Sequence, residues 1–142
     1  APADTQLVFK HHPMDRGFNH YGELIAKLSK RYKLEGGIHH VFDVHLPVFM
    51  RQAQGMVVLN STSGLSAMIH GLPVKALGHA HYDFEGLTDQ QELATFWSQP
   101  QAPNAKVFSA YRCYLLHKTQ INGNFYRTEQ SGLPLILRGA QL

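Results

Sequence analysis

Met56-Val57-Val58-Leu59-Asn60-Ser61-Thr62-Ser63-Gly64-Leu65-Ser66-Ala67-Met68-Ile69-His70-Gly71 is the stretch whose reading decides the fold. Its first four residues form a continuous apolar run, the pattern of a central parallel strand buried on both faces. A hydroxyl-rich turn follows without a spacer. Leu65 to His70 then reads as a helix, and Gly71 stands where a helix stop needs glycine. Pro73 to Leu77 reads as the next strand. Strand, helix and strand joined by short loops predict a parallel βαβ unit.

The same alternation extends towards the amino terminus. Gln6 to Lys10 reads as a short buried strand running into His11-His12-Pro13. Asn19 is placed to cap a helix to about Tyr32, with Tyr21, Leu24, Ile25, Leu28 and Tyr32 at helical spacing. Gly36-Gly37 ends that unit, and Ile38 to Phe42 reads as a further strand. His45 to Ala53 reads as a short helix with Leu46, Phe49 and Met50 on its inner face. Beyond Leu77, a loop rich in His and aromatics runs from Gly78 to Gly86, and Thr88 or Asp89 caps a helix through Phe96 and Trp97. Lys106 to Gln120 is expected to be an amphipathic helix with Val107, Phe108, Tyr111 and Leu115 as its core stripe. The expected class is α/β, with a mostly parallel sheet flanked by helices and the strand-to-helix loops on one edge.

Composition sets the outer limits. The 142 residues suit one compact domain, and 44% hydrophobic against 16% charged residues excludes a disordered or charge-rich chain. The net charge of +3, with ten His counted neutral, suits an anionic ligand or a membrane surface and does not single out nucleic acid. Cys113 is the only cysteine, which excludes an intrachain disulfide and a Cys-based zinc site. It reads as a packed thiol. No apolar run reaches the ~20 residues that span a bilayer. The chain begins Ala1-Pro2-Ala3, without Met, and enters a strand almost at once, which reads as a domain from a longer protein.

Two segments carry candidate chemistry. Ser61-Thr62-Ser63-Gly64 combines hydroxyl donors with the amides and positive dipole end of a helix start, which suits a phosphate. It lacks the Gly-Lys-Ser/Thr of a Walker loop and the three glycines of the dinucleotide fingerprint. Plain N-capping by Ser61, Thr62 or Ser63 explains the same residues, and both readings stand at this point. Lys10, His12 and Pro13 lie at the carboxyl end of the first strand, the edge where open α/β sheets bind ligands. Strand alternation turns His11 and His12 to opposite faces, so one of them faces the crevice. His79, His81 and Asp83 share one side of an extended segment, but a loop closing over a sugar or base explains them better than a metal. No metal site is expected.

Together these residues resemble a known family. Leu7-Val8-Phe9-Lys10-His11-His12-Pro13-Met14-Asp15-Arg16-Gly17, Asn60 to Ala67, His70-Gly71-Leu72-Pro73-Val74-Lys75, Asp83 to Thr88 and Thr119 to Tyr126 are similar to bacterial capsule polysaccharide biosynthesis/export proteins of the KpsS/LipB type. The resemblance runs to about Arg127. It implies a domain over 1–127, with 128–142 as a tail.

The resemblance implies one Rossmann-like half of a GT-B glycosyltransferase, the nucleotide-binding half. The implied reaction is transfer of the acidic sugar Kdo from CMP-Kdo to a lyso-phosphatidylglycerol acceptor, starting the linker of a capsule polysaccharide. The implied catalytic residues are His12 and Lys10. The implied donor-binding residues are Pro13, Ser61, Thr62, Ser63 and Gly64. Leu59, Ser66 and Met68 stand where the wider family pattern has Gln, Glu and Leu, so the Glu's ribose contact is not carried over. No cofactor beyond the CMP-Kdo donor is implied. The implied partners are an N-terminal domain holding the general base, and the capsule assembly and export machinery. The implied location is cytoplasmic, on the inner face of the inner membrane. The competing expectation is a non-enzymatic export or polysaccharide-binding module.

Overall fold

The structure is a computed structural model that describes residues 1–2, 4–12, 14, 21–34, 36–42 and 44–119. The first of two compact units is Ala1–Pro103. It contains β1 (Leu7–Lys10), α1 (Tyr21–Arg31), β2 (Ile38–Val41), α2 (Leu46–Met50), β3 (Met56–Val58), α3 (Ser63–Ile69), β4 (Val74–Ala76) and α4 (Leu93–Phe96). β1 pairs with β2 in parallel, Leu7 facing Ile38 and Lys10 facing Val41. β3 pairs with β4 in parallel, Met56 facing Val74 and Val58 facing Ala76. Each pair is joined through a helix, giving two βαβ units and the expected Rossmann-like α/β class. No ladder joins the two pairs among the described residues.

Within Ala1–Pro103 the core gathers around the second βαβ unit, β3–α3–β4. Val58, Ala67, Met68, Leu72, Val74 and Ala76 are buried, with Met50, Tyr82, Leu87 and Phe96 closing over them. Each fully buried large apolar side chain contributes about 1.5–3 kcal/mol. The carboxyl end of β3 is wetter than the apolar run suggests, since Leu59 is 68% exposed. It lies one residue past the strand, where its carbonyl accepts from Gly78 N at 2.9 Å. α3 stops as expected. Gly71 has φ 69°, its N–H bonds Met68 O at 3.0 Å, and Leu72 N bonds Ala67 O at 3.1 Å. That pair is a Schellman motif, and its left-handed position favours glycine.

The first βαβ unit differs from the sequence expectation. β1 is not a buried strand: Val8 and Phe9 are 44% and 45% exposed. The strand has one partner, and no second strand is paired with its other edge among the described residues. α1 ends at a Schellman motif of its own, with Leu34 N to Ser29 O at 2.9 Å and Lys33 N to Lys30 O at 3.3 Å. The left-handed residue is Lys33 at φ 55°, so the helix stops before Gly36-Gly37. The expected cap Asn19 lies outside the described residues.

The segment after β4 is held by a buried carboxylate. Asp89, 1% exposed, accepts from Gln91 N and Gln101 N, both at 2.8 Å. Its own N–H bonds Val74 O at 2.8 Å. Asp89 therefore ties a loop to a strand rather than capping α4, whose cap position is Glu92. Lys75 reaches across β4 to the carbonyls of Asp89 and Gln91.

The second unit, Asn104–Leu142, contains α5 (Ala105–Thr119). Asn104 caps it, its side-chain oxygen accepting from Lys106 N at 3.0 Å and Val107 N at 3.2 Å. Val107, Phe108, Tyr111 and Leu115 are half-buried, and no residue of α5 is fully buried. Cys113 is exposed rather than packed. The Tyr111 hydroxyl has its pKa raised, chiefly by burial and secondarily by Tyr114. The expected boundary at 127 and the tail 128–142 lie outside the described residues.

Candidate functional site

The β3–α3 turn is built by its own hydroxyls and by a tyrosine from a distant loop. Ser61 Oγ accepts from Ser63 N at 3.2 Å and from Ser63 Oγ at 2.8 Å. Ser61 is thus the local cap of the turn, while Thr62, at the cap position of α3, makes no side-chain cap bond. Gly64 N bonds Ser61 O at 3.0 Å, and Leu65 N bonds Thr62 O at 3.0 Å. Asn60, Ser61 and Thr62 are exposed, Ser63 is half-buried and Gly64 is buried.

Tyr82 explains Gly64. The tyrosine is fully buried, and its hydroxyl donates to Ser61 O. A Cβ on Gly64 would stand 2.6 Å from Tyr82 Oη and 2.9 Å from Cζ. The glycine makes room for a packed ring rather than for an approaching ligand. Sequence reasoning missed Tyr82, because it lies in an irregular loop between exposed His81 and Asp83. A lone aromatic at no regular spacing from the turn gives no pairing signal.

Lys10 ends β1 and is half-buried, its ammonium donating to the His11 carbonyl at 3.1 Å. His12 is exposed, and Met14 N donates to its Nδ1 at 3.1 Å. That bond makes Nδ1 the acceptor, so the neutral ring carries its proton on Nε2. His12 therefore presents an N–H donor, the group that hydrogen-bonds a phosphate oxygen. Pro13 lies outside the described residues. Both segments occupy carboxyl ends of parallel strands, Lys10–His12 in the β1–β2 pair and Ser61–Gly64 in the β3–β4 pair. No hydrogen bond joins the two segments among the described residues.

His11 turns the other way, as strand alternation requires. Its ring packs against Tyr21, His40 and Phe42 at centroid distances of 5.3, 4.8 and 5.1 Å. Nε2 of His40 is buried without a hydrogen-bond partner among the described residues. This cluster joins the carboxyl ends of β1 and β2 to the start of α1, a role for His11 and His40 that no sequence motif announced. His79, His81 and Asp83 are exposed. Asp83 Oδ1 accepts from Thr88 Oγ1 at 2.6 Å and from Gln90 Nε2 at 3.2 Å, bonds that shape the loop. Among the described residues, no group of three His, Cys, Asp or Glu side chains is placed to hold a metal ion.

Residues 1–126 match the profile of a family described as capsule polysaccharide biosynthesis protein. The chain belongs to that family. Among its relatives is the capsule polysaccharide modification protein LipB of Neisseria meningitidis serogroup B, 52% identical over 96% of this chain and 35% of the relative. LipB of serogroup A is 56% identical over 89% of this chain and 30% of the relative. The Escherichia coli capsule polysaccharide export protein KpsS is 48% identical over 89% and 32%. The chain thus spans about a third of the length of these family members. No solved structure matches it. The family match takes in both Lys10–Pro13 and Asn60–Gly64, together with Tyr82 and Asp89.

Proposed function

We propose that this chain is the donor-binding part of a glycosyltransferase of capsule synthesis, moving Kdo from CMP-Kdo to lyso-phosphatidylglycerol. One observation carries the reading. In a family of capsule biosynthesis proteins, a hydroxyl-lined turn and a Lys-x-His segment each sit at the carboxyl end of a parallel strand. That edge is where α/β folds bind anionic ligands. The capsule modification and export names of the relatives support the process. The resemblance supports the sugar, nucleotide and lipid.

The chemistry asks for little besides positioned charge. The bond from the sugar's anomeric carbon to the phosphate oxygen breaks, and its electron pair stays on the departing CMP. The phosphate gains negative charge as it leaves. The Ser61 hydroxyl, oriented by the Ser63 hydroxyl that donates to it, the Thr62 amide, the Lys10 ammonium and the His12 Nε2–H are donors that strengthen as that charge develops. The acceptor hydroxyl attacks the same carbon and gives its proton to a base. We place that base in the part of the longer family members that this chain does not span. Tyr82 supports the site from behind, holding the Ser61 carbonyl and thereby the direction of the turn. Such a transferase works at the cytoplasmic face of the inner membrane, beside the assembly and export machinery.

The test is transfer activity of the full-length protein with CMP-Kdo and the lipid acceptor. His12→Ala and Ser61→Ala are each expected to lower kcat by about 10²–10³-fold, the range for losing one transition-state donor. Unchanged rates in both would overturn the assignment. The KpsS relative's name favours an export module as the second reading. That reading requires acidic polysaccharide to bind without competition from CMP.

A further inference from the structure

α1 carries an apolar stripe that stays largely exposed, although Tyr21 at its start also touches the His11 ring. Ile25 is half-buried and Ser29 buried, so these residues mark the side turned to the protein. Tyr21, Leu24, Leu28 and Tyr32 recur at intervals of three and four, and therefore lie along one stripe. They are 46%, 51%, 39% and 62% exposed. Cations border one flank of the stripe. Lys27 lies three residues from Leu24 and Arg31 three from Leu28, while Lys30 lies on the opposite face of the helix. All three and Lys33 are exposed, against one acid in the helix, Glu23. The Arg31 guanidinium lies 5.7 Å from the centre of the Tyr32 ring.

We propose that α1 and its C-terminal cap are the surface by which this protein rests on an anionic lipid bilayer. Charge complementarity selects this occupant. A helix with an apolar stripe, interfacial tyrosines and flanking Lys and Arg lies in the headgroup plane, stripe inward and cations on the phosphates. Clustered basic residues beside such a helix add attraction to acidic lipids. A protein partner fits less well, because interface cores are depleted in Lys and would have to desolvate these ammonium groups. Lys33, held at φ 55° in the Schellman motif, adds a further exposed cation two residues past the helix. The inference does not rest on the donor-site reading, since it uses neither the β3–α3 turn nor Lys10 and His12.

The experiment is flotation of the chain with phosphatidylcholine vesicles, with and without phosphatidylglycerol, in the absence of nucleotide. The chain is expected to float with the phosphatidylglycerol vesicles and not with phosphatidylcholine alone. Binding should weaken in about 1 M salt, where the screening length falls to about 3 Å. Lys27→Gln and Arg31→Gln should each reduce partitioning by about fivefold, and Lys30→Gln by less. The double variant L24S/L28S should reduce it by tenfold or more while the circular dichroism spectrum stays that of the parent. Absence of binding to phosphatidylglycerol vesicles would overturn the proposal. So would binding that none of these substitutions changes. Gel filtration adds a further contrary outcome: a dimer dissolved by L24S/L28S, without vesicle binding, would make a second copy the occupant. A chain that floats but binds no CMP separates this surface from the donor site.

Discussion

A single methyl group at Gly64 is enough to collide with the Tyr82 ring, since Oη, Cζ and Cε2 all lie within 3.0 Å of the position it would take. Tyr82 is fully buried and cannot swing away cheaply. Gly64→Ala is therefore expected to cost about 1–3 kcal/mol, the range for overpacking. Tyr82→Phe keeps the ring and loses the bond to the Ser61 carbonyl, which should cost about 1 kcal/mol. Urea unfolding of the two variants checks both, and Gly64→Ala should be the worse. At this scale the sequence was informative where neighbours along the chain interact. Ser61 and Ser63 were readable as a hydroxyl turn because their bonds are local. Tyr82 with Gly64, and Asp89 with Gln101, were not readable, because those contacts join segments with no shared periodicity.

The elements stop where their caps put them. Gly71 occupies the left-handed end position of α3 and Lys33 that of α1. A side chain in that conformation costs roughly 1–2 kcal/mol, partly offset by glycine's greater freedom in the unfolded chain. Gly71→Ala should lower stability by about 1 kcal/mol, and Lys33→Gly should raise it by about 0.5–1 kcal/mol. Thermal unfolding of the pair should show opposite shifts. In α5, the raised Tyr111 pKa sets a pH dependence. The unfolded chain loses that phenolic proton near pH 10.0, before the folded chain does. The contribution of Tyr111 to stability is therefore complete below pH 10.0 and is lost as pH rises through the folded value. Phenolate absorbance should titrate later in the native protein than in the urea-unfolded one, and Tyr111→Phe should reduce the difference. Helix positions were legible from apolar spacing, as with Leu46, Phe49 and Met50 in α2. Which helix faces would be covered was not, because periodicity marks an apolar stripe without saying what lies on it. Tyr21, Leu24, Leu28 and Tyr32 were read as helical and proved exposed.

Over the whole molecule, the strand–helix–strand order was legible because apolar runs, short loops and terminal glycines agree along the chain. Both βαβ units follow that order. The uneven burial was not legible. β1 and β3 are both short apolar runs, yet the core gathers around β3, β4 and α3 while Val8 and Phe9 stay exposed. Burial depends on what packs above a strand, which its own residues do not encode. The same limit applies to the candidate site, whose two motifs were read from local chemistry, while their donor-binding role is a proposal about a longer family member.

That proposal has a direct test at this scale, titration of the labelled chain with CMP followed by amide and imidazole NMR. Saturable shifts are expected at the amides of Ser61, Thr62, Ser63 and Gly64 and at the His12 ring, weakened by Ser61→Ala, with UMP binding more weakly. Spectra unchanged at both segments while full-length protein transfers Kdo normally would contradict the donor-site assignment.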